Sequence, residues 1–206
     1  DGVYDVRASV TDAAGNVTLD ASTAELAIDT VPPAAPSVNA RLVNVATPVL
    51  TGRTAFAPGT RLVVTLDGIS RDESDPALVV SPDGTWTLTV PADAPLADGP
   101  HDVLARTIDA AGNEAIDASV DELVVDTTPP LLALDAVAGD DVVNLVETAD
   151  GLLVEGTSDA GDGRIVSLLV DGVPYAATLA GDRWSLVLSA SDAADLPTSF
   201  TVVADV

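Results

Sequence analysis

The sequence predicts an all-β chain made of tandem copies of one antiparallel β-sandwich, joined end to end by short proline-containing linkers. Three observations carry this. Residues 1–33 (DGVYDVRASVTDAAGNVTLDASTAELAIDTVPP) and 98–130 (DGPHDVLARTIDAAGNEAIDASVDELVVDTTPP) align without a gap, with 19 of 33 positions identical at an offset of 97 residues. A period near one hundred residues marks copies of a whole small domain rather than a solenoid repeat. Short apolar runs alternate with turn signals at the spacing of strands, and no stretch sustains the 3.6-residue period of a helix.

In chain order, residues 2–11 alternate as a half-buried strand does, with Val3, Val6, Ala8 and Val10 as its apolar positions. Asp12-Ala-Ala-Gly15-Asn16 follows as a hairpin turn, since Gly and Asn tolerate positive φ and Asp forms Asx-turns. Residues 17–28 are the return strand. Asp29-Thr30-Val31-Pro32-Pro33 ends it, because two consecutive prolines cannot continue a ladder and make a stiff connector.

The next unit runs from Ala34 to Asp126, with strands predicted at 36–43, 48–54, 61–67, 77–81, 85–90, 101–109 and 115–125. Breaks fall at Ala57-Pro58-Gly59, Asp67-Gly68, Ser81-Pro82-Asp83-Gly84, Pro91 to Gly99 and Asp109 to Asn113. Seven short strands in such a unit predict an immunoglobulin-like sandwich, without the cysteine pair of antibody domains. After Asp126-Thr-Thr-Pro-Pro130 a third unit begins. Thr51-Gly52, Asp67-Gly68 and Asp83-Gly84-Thr85-Trp86 are echoed by Glu155-Gly156-Thr157, Asp171-Gly172 and Gly181-Asp182-Arg183-Trp184, and its final strand is expected at about 199–206. The expected organisation is therefore 1–30, the last two strands of one domain; 31–127, a complete domain; and 128–206, a domain lacking its last strand. Both ends fall inside repeats, which predicts a piece of a longer array. A strand-short sandwich also leaves an edge that another chain fills, so head-to-tail complementation between copies, 1–29 of one completing 131–206 of the next, stands beside plain truncation.

The formal net charge is −25 over 206 residues. That field disfavours nucleic acid and anionic membranes and attracts cations. High charge alone favours disorder, but 47% of the residues are apolar, enough to build cores from Val, Leu, Ile and Ala. There is no cysteine. An exported chain without disulfides needs another stiffener, and bound metal is one. No segment approaches the length of a membrane-spanning helix.

Seven-strand topology sorts the acidic loops by end. Asp109, Asn113 and the turn at Asp83 are expected beside the incoming linker, Asp29-Thr30. At the outgoing linker, Asp126 is expected to meet a C–D turn (Asp67 and the Asp72-Glu73-Ser74-Asp75 run), the E–F loop (Asp93, Asp98) and, from the following domain, the loop containing Asp159 and Asp162. Oxygen-only ligands at this density suit a hard cation such as Ca2+. The competing reading makes the same aspartates turn formers and solubilisers. In the third unit Gly139-Asp140-Asp141-Val-Val-Asn144-Leu-Val-Glu147 offers Asp140, Asp141 and Glu147 as ligands. Alternatively, Asp140-Asp141 forms a tight turn and Glu147 pairs with Arg164 or Arg183.

The DAAGN hairpin followed by D-T-x-P-P, the D-G-x-W before a strand and the G-D-D-x-x-N-x-x-E near a domain start resemble bacterial Ig-like repeats. These form the extender regions of giant, calcium-dependent, type I-secreted surface adhesins of the RTX type. The resemblance covers essentially the whole chain. It implies a structural spacer, not an enzyme, in a secreted protein at the bacterial surface that supports adhesion and biofilm formation. Its partners would be neighbouring repeats of the same chain, and its cofactor Ca2+ at the linkers. The family's ligands carry over most directly to Asp29, Asp126, Asp12 and Asp109, with Asp98, Asp140, Asp141, Glu147, Asp159 and Asp162 completing the candidates. The second unit lacks the acidic A–B loop. A glycan- or protein-binding Ig-like module, or an accessory region of a large secreted enzyme, are the alternatives.

Other motifs are weaker. His101 stands where Tyr4 stands in the other copy, and nothing beside it in sequence suggests a Ser-His-Asp triad. Trp86 and Trp184 follow equivalent turns, as core anchors or as sugar-stacking platforms. Asn16-Val17-Thr18 is a glycosylation sequon that Asn113-Glu-Ala does not repeat. Paired carboxylates abound, but acids spread over turns at both ends of a sandwich do not make the single cleft a glycosidase needs.

Overall fold

The structure is a computed structural model that describes residues 1–55, 57–149 and 151–205. The chain divides into two units, Asp1–Thr128 and Pro129–Val206.

The first unit opens with the isolated hairpin. Its two expected strands are each broken in two: β1 (Gly2–Tyr4), β2 (Ser9–Thr11), β3 (Val17–Leu19) and β4 (Leu26–Ile28). β1 pairs with β4 and β2 with β3, both antiparallel. The break has a local cause. Ala24 adopts φ 65°, and the Asp5 and Glu25 carboxylates accept the Ala24 and Val6 N–H groups at 2.8 and 2.9 Å. A residue in the left-handed region opens a bulge, and the bulge re-aims both strands. Every residue of these four strands is exposed.

The complete domain repeats that hairpin within a sandwich. Its strands are β5 (Ser37–Val38), β6 (Arg41–Val43), β7 (Val49–Arg53), β8 (Arg61–Leu66), β9 (Ile69–Asp72), β10 (Leu78–Val80), β11 (Thr85–Thr89), β12 (Gly99–His101), β13 (Val103–Ile108), β14 (Glu114–Ile116) and β15 (Leu123–Val125). One sheet has the order β10-β11-β7-β5; facing it are β14-β13-β8-β9 and a three-stranded extension, β12-β15-β6. Strand β15 pairs antiparallel with β12 and parallel with β6. The inward positions of alternating strands, Leu50, Leu62, Val64, Leu88, Val103, Leu123 and Val125, surround the fully buried Trp86. Strand β9 was not expected. The Asp67-Gly68 turn, with both residues at positive φ, closes a tight β8–β9 hairpin instead of leading straight to the next sheet. The chain is thereby returned to the incoming end before it crosses over. The Asp72–Asp75 run consequently lies at the incoming end, where Glu73 accepts the Leu62 N–H at 2.6 Å, and not with Asp67 as the seven-strand scheme has it.

The second unit keeps the same plan. Strands β16 (Leu132–Leu134), β17 (Leu152–Ser158) and β20 (Arg183–Leu188) form one sheet, and β19 (Val173–Thr178), β18 (Ile165–Val170) and β21 (Val202–Asp205) the other. Val206, the end of the expected final strand, is outside the described residues. Three short helical pieces depart from the all-strand expectation: a 3-10 turn at Val137–Gly139, α1 (Leu145–Ala149) and α2 (Ala190–Ala194). Pieces this short leave no helical period for a sequence to display. Trp184 is buried, as Trp86 is, and each ring lies over a glycine of the adjacent strand, Gly156 and Gly52. Both tryptophans are therefore core anchors, and neither offers a face to a sugar.

Candidate functional site

The incoming end of the complete domain is built around one aspartate. Asp109 Oδ1 accepts the backbone N–H groups of Ala111 (2.9 Å) and Asn113 (2.8 Å), and its Oδ2 accepts the Asn113 side-chain amide at 2.9 Å. Gly112 takes φ 94°, which the turn requires. Asp12 holds Ala14 and Asn16 in the same way in the first copy. Hydrogen bonds to a carboxylate favour its ionised form. The Asn113 side chain, above all, holds the Asp109 carboxyl below its ordinary value, and the Asn16 side chain does the same for Asp12. Asn113 then reaches beyond its own turn: its amide also donates to the Asp29 carbonyl at 3.1 Å. The turn and the incoming linker thus meet, as their assignment to one end requires. The sequon residue Asn16 spends its amide on Asp12.

The other end is organised by Asp98. Its Oδ1 accepts the Thr127 backbone N–H (3.0 Å) and hydroxyl (2.7 Å), and its Oδ2 the Thr128 hydroxyl (2.9 Å). The Thr127 hydroxyl, with the two further donors, keeps the Asp98 carboxyl below its ordinary value. Ninety-seven residues earlier the same clamp recurs, with Asp1 Oδ1 accepting the Thr30 N–H (2.9 Å) and hydroxyl (2.7 Å). Sequence reasoning missed the threonines of D-T-x-P-P as the partners of this clamp, although both copies print them.

His101 ties the same end together. Its Nδ1 lies 2.7 Å from Asp67 Oδ2 and its Nε2 lies 2.8 Å from the Ala97 carbonyl. Both partners accept, so the imidazolium satisfies the pair best. Burial pulls the His101 pKa down, but the Ala97 carbonyl and the Asp67 carboxylate outweigh it and the net shift is upward. With both ring nitrogens engaged, none is left to act as a general base for a neighbouring hydroxyl.

Each remaining candidate carboxylate accepts a backbone N–H, within its own loop or, for Asp159 and Asp162, from a neighbouring segment. Asp29 Oδ1 accepts Val31 N–H (3.1 Å), and Asp126 Oδ1 accepts Thr128 N–H (3.2 Å). In the second unit Asp159 accepts Leu131 N–H (2.6 Å) and Asp162 accepts Gly181 N–H (2.9 Å). Asp140 and Asp141 accept Val142 and Val137 N–H groups, and Asp141 has φ 61°. Glu147 does not pair with an arginine among the described residues. It accepts the Asn144 N–H at 2.8 Å while Asn144 Oδ1 accepts the N–H groups of Val146 and Glu147, a capping box for α1. Arg183 pairs instead with Asp135 and Glu155. The donors are all oxygen, the chemistry of a hard cation. Among the described residues, however, no three acidic or histidine side chains converge as a cation cage. The loops offer ligands singly, in conformations already fixed by backbone donors.

Comparison with solved structures finds similarity to three adhesins. One is a Ca2+-stabilised adhesin with which an Antarctic bacterium reaches out and binds ice (23% identity, 95% of this chain and 53% of that one, TM-score 0.44). Another is a 1.5-MDa bacterial ice-binding adhesin studied for host cell surface retention (24%, 84% and 59%, TM-score 0.45). The third is a tetra-tandem repeat from the extending region of a large adhesion protein (25%, 97% and 54%, TM-score 0.36). The chain spans between 53% and 59% of the length of these proteins. No curated protein matches. The family model of the bacterial Ig-like domain matches residues 36–127, the complete sandwich built above.

Proposed function

We propose that the chain is a structural extender: a series of bacterial Ig-like domains that sets the distance between the parts of a secreted, cell-surface adhesin and carries no catalysis of its own. The observation that carries this reading is the duplication of the linker clamp. Asp1 with Thr30 and Asp98 with Thr127 hold successive linkers with matching donors at distances that agree within 0.1 Å. A spacer needs each linker to leave its domain in the same direction, and the sequence is most faithfully repeated where that direction is set.

In this reading the partners are neighbouring Ig-like repeats, the location is the bacterial exterior, and the role is support of adhesion and biofilm formation. Ca2+ rigidifies the linkers by neutralising carboxylates that otherwise repel one another across a chain of net charge −25. The ligands proposed are Asp29, Asp109 and Asp12 around the DAAGN turns, Asp98 and Asp126 at the outgoing linker, and Asp140, Asp141, Glu147, Asp159 and Asp162 in the second unit. Among the described residues no preformed cage supports these assignments, so the cation would bind weakly, as extracellular modules do at about 10⁻⁴–10⁻³ M. The test is thermal unfolding in calcium and in chelator, paired with small-angle scattering. A clear stabilisation and a longer, stiffer particle in calcium are expected. Identical curves in both would leave an Ig-like array held by packing and hydrogen bonds alone.

A further inference from the structure

The two units build the same hairpin with different outer faces. Leu66 pairs with Val103 just before Asp67-Gly68, and Val170 pairs with Val202 just before Asp171-Gly172. That register equates Ile165, Leu169, Pro174 and Ala176 of β18 and β19 with Arg61, Thr65, Ser70 and Asp72 of β8 and β9. Strand β18 alternates strictly, with Val166, Leu168 and Val170 buried and Ile165, Ser167 and Leu169 exposed. Across the ladder these exposed positions stand beside Thr178, Ala176 and Pro174, which are exposed as well. An antiparallel sheet with one solvated face ordinarily turns polar residues outward. Here Ile165 and Leu169 are 62% and 45% exposed. Neither strand contains an acid, in a chain with 33 of them. The fold does not demand apolar residues at these places, because the complete domain forms β8 and β9 with Arg61, Thr65, Ser70 and Asp72 there. The exposure belongs to the face and not to the bounds of the chain. In the complete domain the following strand, β14, adds beyond β13, and Arg61 and Ser70 on the outer face of β8 and β9 remain exposed.

We propose that the outer face of the β18–β19 hairpin docks on the same face of a second copy of this chain. The inference does not depend on the extender reading or on calcium. Copies of net charge −25 repel one another, and an acid-free face is where they approach at least cost. The face is also complementary to itself. A two-fold axis running along the hairpin, between its strands, lays β18 of each copy over β19 of the other. Leu169 then meets Pro174, Ser167 meets Ala176 and Ile165 meets Thr178, so the bulky residues of one strand lie over the smaller ones of its counterpart, as interdigitating layers do. Asp205 of β21, opposite Ser167 on the far side of β18 from β19, falls beyond the partner's edge under this operation and meets no like charge. Pairing edge to edge is disfavoured, since β19 is an edge strand and Pro174 has no N–H to donate. The contact is therefore two sheets face to face, about 10 Å apart, and isologous. Two short strands offer less than the roughly 800 Å² per partner of a standard interface, so the association is weak and is read at high concentration.

The experiment is sedimentation and light scattering of the 206-residue chain over a concentration series up to millimolar, in chelator, alongside two variants. I165R/L169T and A176D each install residues that the complete domain carries at the same positions, so the fold is kept, which near-ultraviolet circular dichroism verifies. The expected result is a mass that rises with concentration for the parent chain and loss of that rise in both variants. In the labelled parent chain, amide resonances of Ile165–Leu169 and Tyr175–Thr178 are expected to shift with concentration. A parent chain that is monomeric throughout, an association that survives in both variants, or concentration-dependent shifts that miss these residues would each overturn the proposal.

Discussion

Replacing Gly52 by alanine tests whether the core device common to both units controls strand placement. A Cβ built at Gly52 falls well within 3.0 Å of the Ser37 carbonyl oxygen on one side and the Trp86 ring on the other. Neither can yield cheaply. Trp86 is fully buried, and Ser37 belongs to β5, which pairs with β7 at Arg53 and Gly52. Overpacking of this kind costs about 1–3 kcal/mol. If β5 moves away to make room, the Asn39 N–H to Thr51 carbonyl bond and the Val38 N–H to Asp117 bond weaken with it, at about 1 kcal/mol each. The better intrinsic strand propensity of alanine returns about 0.5–1 kcal/mol. The net loss is about 3 kcal/mol, which lowers the melting temperature of a domain this size by roughly 12–24 °C. Scanning calorimetry of the parent and variant measures it. A change of less than about 3 °C would refute the argument that the tryptophan and strand β5 share the space a side chain would need. Gly156→Ala, where the Ala133 carbonyl and Trp184 stand in the same places, is expected to act likewise on the second unit.

Four further outcomes follow from the loops. Acid unfolding is expected to set in as the pH falls below about 4, because Asp12, Asp98 and Asp109 have depressed carboxyl pKa values in the folded state; their stabilisation is complete above the unfolded pKa and is lost on protonation, and circular dichroism against pH follows it. The His101 pKa is raised on folding, so its contribution is complete below about pH 6.5 and falls as the pH passes the folded value; His101→Phe should remove that slope from melting temperatures taken between pH 5 and 8. Asn113→Ala removes the amide held by Asp109 and the Asp29 carbonyl, and faster proteolysis at Thr30–Val31 is the expected reading. Glu122 is 1% exposed, with Oε2 on the Val103 N–H and Oε1 unpartnered; Glu122→Leu strands that N–H and should cost about 1–3 kcal/mol in chemical denaturation, whereas Glu122→Gln, which keeps an acceptor for it, should cost less.

The repeat period, the DAAGN turn and the proline linkers were legible because each is local: turn residues act within a few positions, and a copy of a domain copies its residues in order. The sharing of the last two strands between two sheets was not legible. It depends on Ala24 and Asp121 at positive φ and on Glu25 and Glu122 reaching across to the facing strand, 19 residues away. Alternation alone reads straight through such a bulge. Strand β9 was missed for a related reason, since Ile69–Asp72 has little apolar content and is a strand only because Asp67-Gly68 folds it back on β8. In the candidate site, the meeting of Asn113 with the incoming linker follows from topology and was readable. The threonine partners of Asp98 and Asp1 lie 29 residues further along, and composition, which speaks of carboxylates in bulk, gives them no prominence. The same bulk reading favours cation cages; the geometry shows carboxylates distributed among turns, each with a backbone donor.

The account places function at the linkers, and calorimetric titration of Ca2+ into the chain tests that placement most directly. Saturable binding near 10⁻⁴–10⁻³ M is expected, on the order seen in extracellular calcium modules, and it should weaken in the D29N/D126N variant while the fold is retained. Heats no larger than dilution, or binding unchanged in that variant, would contradict the account.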